Sequence, residues 1–168
     1  MVHQAVCVLR RGGVIAFPTE TTYGLGCDPR NTKAVARIFR IKGRPLLKAL
    51  PLVVSSVLDV KRVAVLAEPA ARLARRYWPG PLTLVLPVRR GQRFHHLVAP
   101  NNEVAIRVSS SPFVRALVRA YGFPIVATSA NRSGQPECRS GRSVVRVFQD
   151  AKMKPGIVID VGPLPRRR

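Results

Sequence analysis

The chain has 168 residues, 46% hydrophobic and 22% charged, the proportions of one globular domain that can bury its core without metals or disulfides. Lysine and arginine number 29 against 8 acidic residues, a formal charge of +21; such a field attracts nucleotides and nucleic acid, but cations scattered from Arg10 to Arg168 permit RNA binding without specifying it. No apolar run reaches the roughly 18 residues that span a bilayer, no signal-peptide pattern opens the chain, and Cys7, Cys27 and Cys138 lack Cys-x-x-Cys spacing, which argues against a disulfide framework and for a reducing cytoplasm.

The elements alternate helices with short apolar runs, the pattern of an α/β protein. Residues 3–10 read as a helix that stops at Gly12-Gly13. Val14 to Phe17 is a strand ended by Pro18. Asn31 is placed to cap a helix with Ala34, Val35, Ile38 and Phe39 on its apolar face. Pro51 to Val54 reads as a buried strand, and Glu68 to Tyr77 as a helix halted by Trp78-Pro79-Gly80-Pro81. Strand-like runs follow at Leu82 to Pro87, Val104 to Val108 and Ile125 to Ala127. Pro112 to Tyr121 has proline early and Gly122 just past its end, the favoured arrangement for a helix. Ser143 to Phe148 reads as helix and Gly156 to Val161 as a last strand. No linker divides the chain, so one domain is expected.

Four polar segments sit at the ends of apolar strands or helices, where sheet enzymes place their sites. Pro18 to Gly26 carries Thr19, Thr21, Thr22 and Tyr23 ahead of glycines that let backbone approach a ligand. Lys42-Gly43-Arg44-Pro45, with Lys48 beyond, gathers cations that suit phosphate oxygens. The same cations could simply answer a helix dipole. Ile106-Arg107-Val108 places an arginine between apolar neighbours, where a buried guanidinium needs a carboxylate or phosphate. Ala127 to Gly134 follows a strand with Thr128, Ser129, Asn131 and Ser133, a polar cradle or an ordinary turn. Neither a G-x-x-x-x-G-K-[ST] loop nor a G-x-G-x-x-G fingerprint is present. His95 and His96, adjacent, would face opposite sides of a strand and make a poor metal pair. The inventory supports electrostatic clamping and positioning rather than acid–base chemistry.

Taken in order, these segments resemble the YrdC/TsaC family. The resemblance runs from Gly13 to Gly26 through Lys42-Gly43-Arg44-Pro45, Tyr77 to Thr83, Ala105 to Val108 and Thr128 to Gly134. It outweighs the bland reading of each piece alone. It implies a single domain over 1–162, a twisted mixed sheet with flanking helices around a basic concave cavity, followed by a basic tail, 163–168. It also implies synthesis of threonylcarbamoyl-adenylate from L-threonine, bicarbonate or CO2 and ATP, with release of pyrophosphate. By that resemblance Lys42, Arg44, Ser129 and Asn131 form the catalytic tetrad. Lys48 and Thr128 join them around ATP, and Thr19, Thr22, Tyr23 and Arg107 hold threonine. Mg2+ would arrive on the nucleotide, with no metal site built by the protein. The product would pass to a threonylcarbamoyl-transferase complex acting on tRNA.

The chain departs from the family pattern in two places. After Asp160-Val161-Gly162 it runs Pro163 to Arg168 without the Ser-Thr-x-x-Asp segment that commonly helps close the site. Leu46-Leu47 stand where the family often has a polar residue, which bears on the lid over the triphosphate. The alternative function is a non-catalytic module of the same fold that binds double-stranded RNA or tRNA, motivated by the +21 charge. A carbamoyl-transfer domain of a larger protein is a third reading, against which stands the lack of Cys-rich zinc modules.

Overall fold

The computed structural model describes residues 1–45 and 48–165. Among them are six α-helices and two four-stranded sheets. The first sheet is built on a hairpin, β1 (Ile15–Pro18) antiparallel to β2 (Tyr23–Gly26). Strand β8 (Ile157–Val158) joins β1 in parallel, and β7 (Thr128–Ser129) lies antiparallel on the other side of β2. In the second sheet β3 (Leu52–Val54) and β5 (Glu103–Val108) are central and parallel. They are flanked by β6 (Ile125–Val126) and β4 (Leu84–Pro87), both antiparallel.

Sheet side chains alternate faces, and here both faces are covered. From β1, Ala16 enters one apolar cluster while Ile15 and Phe17 enter another; from β3, Leu52 and Val54 part from Val53 in the same way. Helix α2 (Thr32–Lys42) supplies Ala34, Val35, Ile38, Phe39 and Ile41 to the first cluster. Helices α1 (Val2–Arg10) and α5 (Pro112–Tyr121) pack together over the second. Both longer helices behind the site are set by local chemistry. Asn31 Oδ1 accepts the Ala34 N–H at 3.0 Å to start α2, and Ser111 caps α5 ahead of Pro112.

At its far end α2 closes on Gly43, whose φ of 58° suits a residue without Cβ. The Arg44 N–H returns to Phe39 O at 3.0 Å. That tight reversal separates Lys42, the last helical residue, from Arg44.

Several elements differ from the sequence reading, among them β7 (Thr128–Ser129), expected as a loop. Tyr23 to Gly26, expected within a loop, is a fully buried strand. Tyr-Gly-Leu-Gly lacks the β-branched signature of a strand, and only pairing with its neighbours reveals it. Helix α3 (Val57–Val63) is seven residues rich in valine, and its start is marked by Ser56 accepting from the Asp59 N–H. The strand expected over Gly156 to Val161 pairs only at Ile157–Val158. Helices α4 (Ala70–Tyr77) and α6 (Gly141–Phe148) fall close to their expected positions.

The two sheets meet along one extended run, β6 and β7 separated by Ala127 alone. Val126 N–H donates to Cys27 O at 3.0 Å and Ala127 N–H to Pro51 O at 2.9 Å, so each sheet holds a part of the run. Backbone passes Gly26 so closely that a Cβ there would lie 2.5 Å from Val126 O and 2.7 Å from Phe17 Cε1. Gly26→Ala is therefore expected to lower the unfolding free energy by about 1–3 kcal/mol, the usual cost of overpacking, read as a reduced urea midpoint with an unchanged slope.

Candidate active site

A cleft of about 310 Å³ opens at this junction. Its walls come from the β1–β2 turn (Thr19, Thr21, Thr22), from Arg44 after α2, from Arg107 on β5 and from Thr128 and Ser129 on β7. Thr83 and Glu137 complete the polar lining.

The turn owes its shape to Thr19. Its hydroxyl donates to Thr22 O at 2.6 Å and accepts the Thr21 and Thr22 N–H groups at 3.2 and 3.3 Å. Thr19 is buried and fully occupied by these bonds, while Thr22 beside it is half-buried on the cleft wall. Tyr23 also lines the cleft, but its hydroxyl points away into the C-terminal segment. It accepts the Val161 N–H at 2.9 Å and has Asp160 Oδ1 and Gly162 O at 3.0 and 2.9 Å for its single proton. Burial is the main cause that raises the Tyr23 phenol above its ordinary value, with the Asp160 carboxylate adding to it. Asp160 in turn accepts the Gly162 and Gly141 N–H groups, and the hydrogen bond from Gly162 leads in holding its carboxyl low.

Lys42 is almost wholly buried, an expensive place for an ammonium unless it is satisfied. Its Nζ donates to Ser129 O at 2.5 Å, Asn131 O at 3.0 Å and Asn131 Oδ1 at 2.9 Å. Asn131 Oδ1 also accepts from Ser129 Oγ at 2.7 Å, and Asn131 Nδ2 donates to Gln135 O at 2.5 Å. Three of the four residues that the family resemblance groups, Lys42, Ser129 and Asn131, form one hydrogen-bonded unit, with the ammonium spent on the 129–131 loop. Burial, then the neighbouring Arg44 charge, pushes Lys42 down to about 8.

Arg44 stands on the cleft wall, its guanidinium steadied from Nε to Lys48 O at 3.1 Å and from Nη2 to Ala49 O at 3.0 Å. Burial lowers its ordinary value, though an arginine stays charged throughout. Lys48 itself is exposed and lends the site its carbonyl. Leu46 and Leu47, the departure expected to affect a lid, lie outside the described residues.

Arg107 reaches the cleft from β5, its Nε 3.6 Å from Glu20 Oε1. Sequence reasoning gave Arg107 an acidic partner in kind but missed which one. Glu20 sits inside the threonine-rich turn, and nothing local in Pro-Thr-Glu-Thr-Thr says that its carboxylate turns inward toward a strand 87 residues away.

Among the described residues no group of three or more His, Cys, Asp or Glu is placed to hold a metal. His95 and His96 lie outside the strands, with their rings 4.3 Å apart. No helix among the described residues is long and apolar enough to cross a membrane. A second, larger concavity of about 760 Å³ shares no lining residue with the cleft and carries Lys61, Arg62, Arg89 and Arg119 against one carboxylate, Asp59.

The chain is similar to known proteins in sequence and fold. Residues 7–167 match the Sua5/YciO/YrdC family model, described as telomere recombination. A threonylcarbamoyl-AMP synthase of Xanthomonas campestris pv. campestris (strain B100) is 45% identical over 140 residues, 81% of this chain and 74% of the relative. One of Bacillus subtilis (strain 168) is 40% identical over 166 residues, 96% of this chain and 46% of that protein. Among solved structures, P. abyssi Sua5 complexed with L-threonine superposes with a TM-score of 0.85 at 36% identity, over 96% of this chain and 47% of that one. The chain therefore spans about half the length of the Bacillus and P. abyssi proteins.

Replacing the buried ammonium tests the loop it holds. Lys42→Met leaves the Asn131 carbonyl without its donor, while Ser129 O keeps the Asn131 N–H and Asn131 Oδ1 keeps the Ser129 hydroxyl, and is expected to cost about 1–3 kcal/mol, measured by urea unfolding at pH 7. The sign of the pH dependence follows from the folded value near 8, below the ~10.4 of a free lysine. Between the two the unfolded chain holds more protons, so this group's contribution to stability rises with pH. The stability gap between the parent and Lys42→Met should widen across that window.

Proposed function

This chain belongs to the Sua5/YciO/YrdC family, and we propose that it works as a threonylcarbamoyl-AMP synthase. The observation that carries the proposal is one cleft presenting two separate guanidinium anchors, Arg44 and Arg107, among hydroxyl groups of Thr22, Thr128 and Ser129. ATP and L-threonine each bring an anionic group to such a site, a polyphosphate and a carboxylate, and a bidentate guanidinium fits both.

In this mechanism the deprotonated amine of threonine adds to CO2 derived from bicarbonate and yields a carbamate. A carbamate oxygen then attacks the α-phosphorus of ATP, and the bond from that phosphorus to the pyrophosphate oxygen breaks. The protein has little covalent work to do; it positions the reactants and stabilises charge developing on phosphate. Arg44 is the cation assigned to the phosphates. Lys42 contributes positive charge from beneath and holds Ser129 and Asn131 in their register, which places Thr128 and Ser129 against the nucleotide. Lys48 supports Arg44 through its carbonyl and lends its own charge at the rim. Arg107 takes the threonine carboxylate, with Thr22 and the Thr19-shaped turn beside it; Tyr23 supplies wall, and its hydroxyl fastens the C-terminal segment. Mg2+ carried on the triphosphate would offset phosphate charge there, and Glu137 is the one carboxylate of the cleft lining. The product goes to a transferase complex that modifies tRNA.

A second role, RNA docking, is favoured by the larger concavity and its four cations. It would operate beside the synthase activity rather than replace it.

Two experiments test these readings. Pyrophosphate release should require threonine, bicarbonate and ATP together, and Arg44→Ala should lower kcat/KM by about 10²–10³, as loss of a preorganised charge stabiliser does; turnover without threonine would overturn the synthase. For RNA, tRNA affinity should fall steeply with salt, and Lys61→Ala with Arg119→Ala should flatten the log–log slope by about 2 while pyrophosphate release stays unchanged. Affinity independent of salt removes the second role.

A further inference from the structure

Glu20 is the one described side chain with a buried polar atom left unpaired, and it stands behind the cleft rather than in it. Its side chain is 5% exposed. Oε2 accepts a hydrogen bond from Ser109 Oγ at 2.7 Å, and Ser109 Oγ in turn accepts the Ser111 N–H at 3.1 Å, just before α5. Oε1 has no hydrogen-bond partner among the described residues and lies 3.6 Å from Arg107 Nε. The carboxylate is thus fixed at one oxygen and holds the other beside the inner edge of the Arg107 guanidinium.

A buried carboxylate is costly unless a cation answers it. A guanidinium is a planar fork with several donors, and Nε with its neighbouring Nη can serve one carboxylate while the remaining edge serves a second. Arg107 lines the cleft with a side chain 17% exposed, so part of that fork is open to the space where substrate sits. The two residues join distant parts of the chain, the β1–β2 turn and the central strand β5. That same turn carries Thr19, Thr21 and Thr22 to the cleft. Nothing in the first apolar cluster requires an acid at this point, and the turn is already closed by Thr19.

We propose that Glu20 is the positioning residue for Arg107: it holds the guanidinium by its inner edge so that the outer edge meets the carboxylate of the amino-acid substrate. Binding of that carboxylate draws the fork taut and closes the 3.6 Å gap to a hydrogen bond, which satisfies Oε1. Glu20 touches no reacting atom; its effect is confined to the amino acid and leaves the nucleotide side, held by Lys42 and Arg44, unaltered. This inference rests on the reading that Arg107 receives threonine.

The test compares the full chain with Glu20→Gln, Arg107→Ala and the double variant, measuring L-threonine and ATP affinity by calorimetry, KM for each in pyrophosphate release, and melting temperature. Glu20→Gln keeps the shape and the Ser109 contact, so folding should hold within a few degrees. The expected result is threonine binding weakened by about tenfold or more, on the order of a charge-assisted contact, with ATP affinity within twofold. In the Arg107→Ala background the Glu20→Gln change should have no further effect on threonine. The inference is overturned by threonine affinity unchanged in Glu20→Gln, by equal weakening of threonine and ATP, or by an effect that persists without Arg107. Absence of threonine binding to the unaltered chain instead overturns the reading of the site itself, and the ligand assigned to Arg107 with it.

Discussion

Residues 125–129 carry the architecture, because they are strand in both sheets. Ile125 and Val126 pair with β3 and Thr128 and Ser129 with β2, and only Ala127 separates them. A chain crossing between sheets this abruptly needs a small residue where backbones meet, and Gly26 provides it by leaving room for Val126 O. A cleft lies at the junction, with Ala127, Thr128 and Ser129 in its wall. Arg44, Arg107 and the Thr19 turn are brought to it by three different elements that share no local sequence.

The loop that leaves the junction carries the Ser129 carbonyl, which accepts the Asn131 N–H, and the Asn131 carbonyl, for which Lys42 is the one donor among the described residues. Lys42 meets them from the end of α2, and the αL turn at Gly43 releases the chain so that Arg44 faces the cleft. One helix terminus therefore supplies two cations with different tasks. The deeper one trades its hydration for three oxygen acceptors and holds the loop. The shallower one keeps its charge at the wall, where an anion can reach it.

Charge in this protein is distributed in the same divided way. The overall excess is +21, yet the cleft lining holds only two arginines and one glutamate. A concavity with more cations lies elsewhere, between α3 and α5, around Lys61, Arg62, Arg89 and Arg119. Long-range attraction for polyanions and short-range stabilisation at the cleft are thus separate properties. The first depends on the sum over the surface and is screened by salt; the second depends on a few desolvated, oriented groups.

The sequence by itself determined the helix with Asn31 at its start, the helix over Pro112 to Tyr121 with Gly122 just past its end, the apolar strands, and the family to which the ordered segments belong. These are legible because caps, glycine turns and apolar periodicity act over a few neighbouring residues. It also singled out Lys42, Arg44, Ser129 and Asn131 as a group. It did not reveal that Tyr23 to Gly26 is strand, that the Tyr23 hydroxyl serves Asp160, that Lys42 turns inward, or that Glu20 stands behind Arg107. Each of these rests on a partner tens of residues away or more, Tyr23 with Asp160, Lys42 with Asn131, Glu20 with Arg107. A hydrogen bond between distant segments leaves no periodic trace in either one, so only the tertiary structure could decide which polar groups face the ligand and which hold the site in place.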